Sequence, residues 1–171
     1  MKRKSKTGNH FSEDDFTTRI TPAEALTKIQ KYCAYQERSH QEVKYKLHSF
    51  GLSSDEVDEL ISRLITDNFL NEERFAKAFT GGKFRVKKWG RNKIVNELES
   101  RGLTKNCITR GLKEIDPADY TKTLRALLLK KADELDEENM FIKRNKVSRF
   151  AIAKGYEPEL VWEMVKKLLP D

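Results

Sequence analysis

Lys83, Arg85, Lys87, Lys88, Arg91 and Lys93 fall within eleven residues of the chain, beside Trp89 and the glycines at 81, 82 and 90. Arg101, Lys105, Arg110 and Lys113 continue the series. Residues 83–113 thus hold ten bases and two acids, Glu97 and Glu99, a net +8. The whole chain of 171 residues carries +7, so the remainder is close to neutral. Side chains of this kind hold anions. Solvated helical faces are common, but they usually mix signs. A run of one sign repels itself and is tolerated more readily where a polyanion or an acidic partner relieves it. Attraction to phosphates would weaken with salt in proportion to the number contacted. Trp89 is a residue type that stacks on a base or packs on its own core.

Other chemistries have little to work with. The Ser, Thr and Cys residues have no base at a telling spacing. There is no phosphate-binding glycine loop, no HExxH and no G-x-G-x-x-G. Cys33 and Cys107 are far apart, and with His10, His40 and His48 they form no metal-binding spacing. The sequence predicts no catalytic residue, no metal and no cofactor. It also predicts two buried thiols in a reducing cytoplasm. The basic start, MKRKSKTGNHFSEDDF, lacks the apolar run of a signal peptide, and no stretch approaches the length of a membrane span.

The elements that must carry the bases are helices. Apolar residues make up 37% of the chain and charged residues 36%, which suits thin helical units that each bury one stripe. Residues 1–20 lack periodicity and read as a tail. Thr21-Pro22 with Glu24 reads as a capped helix start. A repeat then emerges. Val43, Leu47, Gly51, Val57 and Ile61 are matched by Ile94, Leu98, Gly102, Ile108 and Leu112, and again by Val147, Ala151, Gly155, Val161 and Val165. The offsets are +4, +4, +6 and +4 each time, and the copies lie 51 and then 53 residues apart. Apolar residues four apart share a helix face. The glycine closes the helix in a left-handed conformation, and Ser53/Ser54, Thr104 and Glu157-Pro158 open the next one. Helical runs over 22–37, 71–88 and 117–137 precede the copies. The reading is therefore all-α: three tandem three-helix, helix-turn-helix-like repeats over 21–69, 70–116 and 117–171, stacked into an elongated, curved rod.

The glycine spacing is also that of DNA-reading helix-turn-helix units, in which the helix after the glycine enters the major groove. Two copies argue against that role. SSDEVDELISRL and EPELVWEMVKKLL begin with acids, which repel phosphate. TKNCITRGLK alone offers Lys105, Asn106 and Arg110. Acids gather elsewhere, nine against five bases over 37–75 and as DELDEE at 133–138. Separated signs favour an adaptor that docks on a nucleoprotein.

These residues resemble the RecX family of bacterial recombination regulators, from about Ala23 to Leu169. The resemblance rests on the tripled unit and on Tyr32-Cys-Ala-Tyr-Gln-Glu-Arg-Ser. It rests most of all on Asp67-Asn-Phe-Leu-Asn-Glu-Glu-Arg-Phe-Ala-Lys-Ala-Phe, followed by the basic Phe84-Arg-Val-Lys-Lys-Trp-Gly. In the central turn Trp89 stands where many relatives carry glycine before an aromatic or glycine. The resemblance implies a protein that binds the RecA recombinase filament; the residues themselves predict a non-enzymatic, cytoplasmic protein, and a monomer is expected. Single-stranded DNA would be met directly or through that filament. It further implies suppression of the filament's ATPase, strand-exchange and co-protease activities. The candidate contacts are Lys83, Arg85, Lys87, Lys88, Trp89, Arg91, Lys93, Arg101, Lys105 and Arg110. The alternatives are a helix-turn-helix transcription regulator and a scaffold that stacks on acidic proteins without nucleic acid.

Overall fold

The structure, a computed structural model, describes residues 19–170. The expected tail lies outside the described residues, apart from Arg19 and Ile20. Those two are tied to the fold: Arg19 pairs with Glu56 at 2.7 Å, and the Ile20 N–H donates to the Phe50 carbonyl.

The described residues form helices and no strands. In chain order these are α1 (Pro22–Tyr35), α2 (His40–His48), α3 (Ser54–Thr66), α4 (Glu72–Lys87), α5 (Arg91–Ser100), α6 (Lys105–Leu112), α7 (Pro117–Glu134), α8 (Met140–Ala153) and α9 (Pro158–Leu168). The leading helices stop short of the sequence expectation. Alanine 34 and Tyr35 precede an extended Gln36, and Leu135 is extended after α7. Gly51, Gly102 and Gly155 all have positive φ, at 78°, 77° and 98°. Each closes a helix where a side chain would be strained. Of the fifteen repeat positions, the apolar ones preceding and following each glycine are buried, apart from the half-buried Ile61 and Leu112.

Helix starts show which parts of the molecule are self-sufficient. Thr21/Glu24, Ser39/Glu42 and Ser53/Glu56 each form a reciprocal capping box. By contrast, α5 and α9 begin at Gly90 and Glu157 with no side-chain cap. The orphan donors of α5 are satisfied across the molecule. Gly90 N–H donates to the Lys154 carbonyl at 2.8 Å, Asn92 N–H to the Gly155 carbonyl at 2.9 Å, and Arg91 N–H to the Tyr120 hydroxyl at 3.0 Å. Tyr120 in turn donates to Glu157 Oε2 at 2.6 Å, and Tyr156 donates to the Lys88 carbonyl at 3.1 Å. Burial raises both tyrosine hydroxyls above their ordinary pKa, and the Glu157 carboxylate adds to the effect at Tyr120.

The three three-helix repeats expected from the sequence do not join alike. The described residues form two cores. One belongs to α1–α3 and contains Ile29, Leu47, Val57 and Leu70. The other runs continuously through α4–α9, with Phe84, Tyr120 and Tyr156 ring against ring at its centre. The physical reason is at the joints. Between α4–α6 and α7–α9 the two glycine turns touch backbone to backbone. Between α1–α3 and the rest, two arginines make the joint. Arg74 sends Nε to Glu37 at 2.8 Å, Nη1 to Asn68 Oδ1 at 2.7 Å and Nη2 to the Asn68 carbonyl at 3.0 Å. Arg101 lies 3.6 Å from Glu42, the capping acid of α2. Asn68 is itself left-handed at φ 61°, so Arg74 clamps a turn that only a few residue types adopt cheaply. Arg74→Ala is expected to cost about 1–2 kcal/mol, since these charged bonds are partly solvated. Amide exchange should rise first over residues 67–71.

The thiols differ from the expectation that both are buried. Cys33 is buried and Cys107 is half-buried. Burial pushes the Cys33 thiol up to about 11, from 9.0. Iodoacetamide at pH 8 should therefore add one group to the native chain, at Cys107, and a second only on unfolding. Because the folded thiol holds its proton more tightly, its contribution to stability is full below pH 9 and is lost as pH rises towards 11. Alkaline melting curves of the wild type and Cys33→Ala should converge over that window.

Candidate functional site

Strong tertiary pairing fixes the bases in the second unit. Helix α6 lies hard against α4: a Cβ on Gly111 would stand 2.9 Å from the Ala76 backbone. Ile108 and Gly111 face inward, while Lys105 and Arg110 face out.

The structure divides the ten candidate residues. Three arginines are spent within the molecule. Arg91 Nη1 lies 3.3 Å from Glu157, its guanidinium stacked 3.8 Å over the Tyr120 ring. Arg101 lies against Glu42 and over the Phe79 ring. Arg110 Nη1 lies 2.6 Å from Glu73, which hydrogen bonds from Lys77 and Arg110 hold below the ordinary carboxylate range. With Arg110 held by Glu73, Lys105 is the base of α6 that pairs with no acid among the described residues.

Lys83, Arg85, Lys87, Lys88, Lys93 and Lys105 make no ion pair with a described acid. Trp89 is half-buried and packs on the larger core, with Lys83 Nζ 5.0 Å and Lys93 Nζ 4.6 Å from its ring centre. The ring thus holds two ammonium groups in place. Lys88 is left-handed at φ 56° and ties its ammonium to the Arg85 carbonyl at 2.7 Å.

The structure also adds bases that the sequence reading left out. Lys122 and Lys130 of α7 stand with Arg85 and Lys88 around an open groove of about 540 Å³. Lys130 is shared with a second hollow of about 310 Å³ that includes Lys131 and Lys154. Lys154 Nζ reaches the Lys87 carbonyl at 3.4 Å. The basic segment of the second unit therefore continues onto the third. The signal was present in the sequence, since Lys122, Ala126 and Lys130 are four apart and share one face of α7.

Among the described residues, no helix is long and apolar enough to cross a membrane, and no three His, Cys, Asp or Glu side chains are placed to hold a metal ion.

Known proteins resemble this chain in sequence and in fold. Residues 71–112 match the family description "RecX, second three-helix domain". The regulatory protein RecX of Clostridium botulinum (strain Eklund 17B) is 29% identical over 77% of the chain, and that of Bacillus cereus (strain B4264) 24% over 84%. The chain spans 62% and 53% of the length of those two relatives. The crystal structure of RecX from Lactobacillus salivarius superposes with a TM-score of 0.77 at 21% identity, covering 86% of this chain and 96% of that one. This places the three-helix repeats in a known fold. The regulatory protein RecX of Prosthecochloris aestuarii is 30% identical over 147 residues, 85% of this chain and 93% of its own length. With identity at that level running through all three units, the chain belongs to the RecX family of regulatory proteins.

Proposed function

We propose that this chain binds the filament of a RecA-type recombinase on single-stranded DNA and restrains its ATPase, strand-exchange and co-protease activities, without chemistry of its own. The observation that carries this reading is the unpaired basic surface. It is held on the shared core of α4–α9 and runs from Lys83, Trp89 and Lys93 to the groove beside α7. A transcription regulator would present a helix of unpaired, base-reaching side chains. Here Arg110 of α6 is bound to Glu73, which leaves Lys105 and Asn106. Domain organisation fits the same reading. The first unit, residues 21–69, keeps its own core and acts as an arm, while 70–116 and 117–171 act as one body.

The test is fluorescence anisotropy of labelled protein titrated with recombinase filament on oligo-dT, at several salt concentrations. The reading expects saturable binding that weakens steadily with salt. Absence of binding to the filament at low salt would remove it.

A further inference from the structure

The groove between the end of α4 and the outer face of α7 differs in chemistry from the lysines around Trp89. Its uncharged lining is Phe84, Ala126 and Leu127 with Thr123. Four cations, Arg85, Lys88, Lys122 and Lys130, stand around it against a single acid, Asp119. Flipped-out bases need the open face of an aromatic ring or a guanidinium plane. The one ring here, Phe84, is only 6% exposed and is packed against Tyr120 at 5.8 Å between centroids, and the one guanidinium, that of Arg85, is folded back over Gly81 of its own helix. A mainly apolar lining instead receives an aliphatic or aromatic side chain, and about 540 Å³ is within the range of preformed sites for such anchors. The ring of cations calls for carboxylates beside that anchor, while Asp119 opposes a phosphate and can accept from an amide N–H.

We infer that this groove receives an acidic segment of a partner protein, anchored by an apolar side chain, while the lysines around Trp89 face nucleic acid. The inference deepens the proposed function and rests on it in one respect, that the partner is the recombinase. The two surfaces lie on units that share one core, so they would engage a protein–DNA filament together. Each would bind its own component alone, but more weakly.

Ala126 is exposed, so Ala126→Trp fills the groove without altering charge. Lys122→Glu, also at an exposed site, removes one cation of the rim. Both variants and the wild type are titrated separately with DNA-free recombinase and with oligo-dT, after circular dichroism melting has established that they fold. The inference expects Ala126→Trp to weaken recombinase binding about tenfold and Lys122→Glu several-fold. Oligo-dT binding by Ala126→Trp should stay within about twofold of the wild type. If Ala126→Trp does not fold, Lys122→Glu carries the recombinase arm. Loss of oligo-dT binding with recombinase binding intact would assign the groove to nucleic acid and overturn the inference. No change in either arm would overturn it as well. A wild-type dimer in sedimentation velocity that Ala126→Trp splits would give the groove to a second copy of the chain, again overturning it. Failure of the wild type itself to bind recombinase would be visible before any variant is compared, and would count against the proposed function.

Discussion

Gly90→Ala is expected to lower the melting temperature by roughly 10 °C. Gly90 has ordinary backbone angles, φ −78° and ψ 167°, so alanine would be unstrained there in isolation. The obstacle is the partner turn. A Cβ would lie 2.2 Å from the Gly155 carbonyl carbon and 2.3 Å from the Tyr156 nitrogen. Both are backbone atoms, so no rotamer change relieves the contact. The turns must separate, and that breaks the two short hydrogen bonds from Gly90 and Asn92 and leaves the uncapped start of α5 unsatisfied. Overpacking at about 1–3 kcal/mol and two bonds at about 1 kcal/mol each give a loss of roughly 4 kcal/mol. Gly82→Ala is the matched control. Gly82 lies within α4, and a Cβ there meets nothing within 4 Å. That substitution should raise stability by about 0.5–1 kcal/mol, because glycine is a poor residue for a helix interior. Thermal melts of the two variants should therefore move in opposite directions.

Reversing Lys83, Lys87 and Lys93 to glutamate should weaken filament binding by roughly 50-fold at 0.15 M salt. This follows if each lysine neutralises one phosphate of a single strand, since three lost contacts remove about 2 from the slope of log affinity against log salt. None of the three holds an acid in the folded chain, so their reversal breaks no ion pair. The variant loses the two cation–π contacts to Trp89, about 0.5–1 kcal/mol each, so it should fold and melt a few degrees below the wild type. The same exchange at Arg91, Arg101 and Arg110 should behave differently. Those residues meet Glu157, Glu42 and Glu73, and reversal would place acid against acid. It would lower stability as well as binding. An unchanged salt slope in the lysine variant would count against this end of the surface.

The repeat was the most legible feature of the sequence because it is local. Apolar steps of four and a glycine ending each helix are written in consecutive residues, and the three positive φ values follow from them. Capping residues were legible for the same reason. What the sequence hid is pairing at a distance. Nothing near Arg91 marks it as the partner of Glu157, 66 residues on, or Arg110 as the partner of Glu73, 37 residues back. Counting charge along the chain therefore did not show that three of the arginines already hold acids of the folded chain. The same count stopped at Lys113 and so missed Lys122 and Lys130, which belong to the surface only because α7 packs beside α4. The missing cap at Gly90 was a visible sign. A helix that starts with no cap of its own points to donors satisfied from elsewhere, and here that is the third unit. The uneven joints were hidden too, since whether two repeats meet through backbone or through ion pairs depends on which turn faces which.

The single-stranded-DNA-dependent ATPase rate of the cognate RecA-type recombinase, titrated with this protein, tests the central claim most directly. The account predicts a fall in rate at well below one chain per recombinase subunit, weakened by reversal of Lys83, Lys87 and Lys93. A rate unchanged at stoichiometric excess would contradict it.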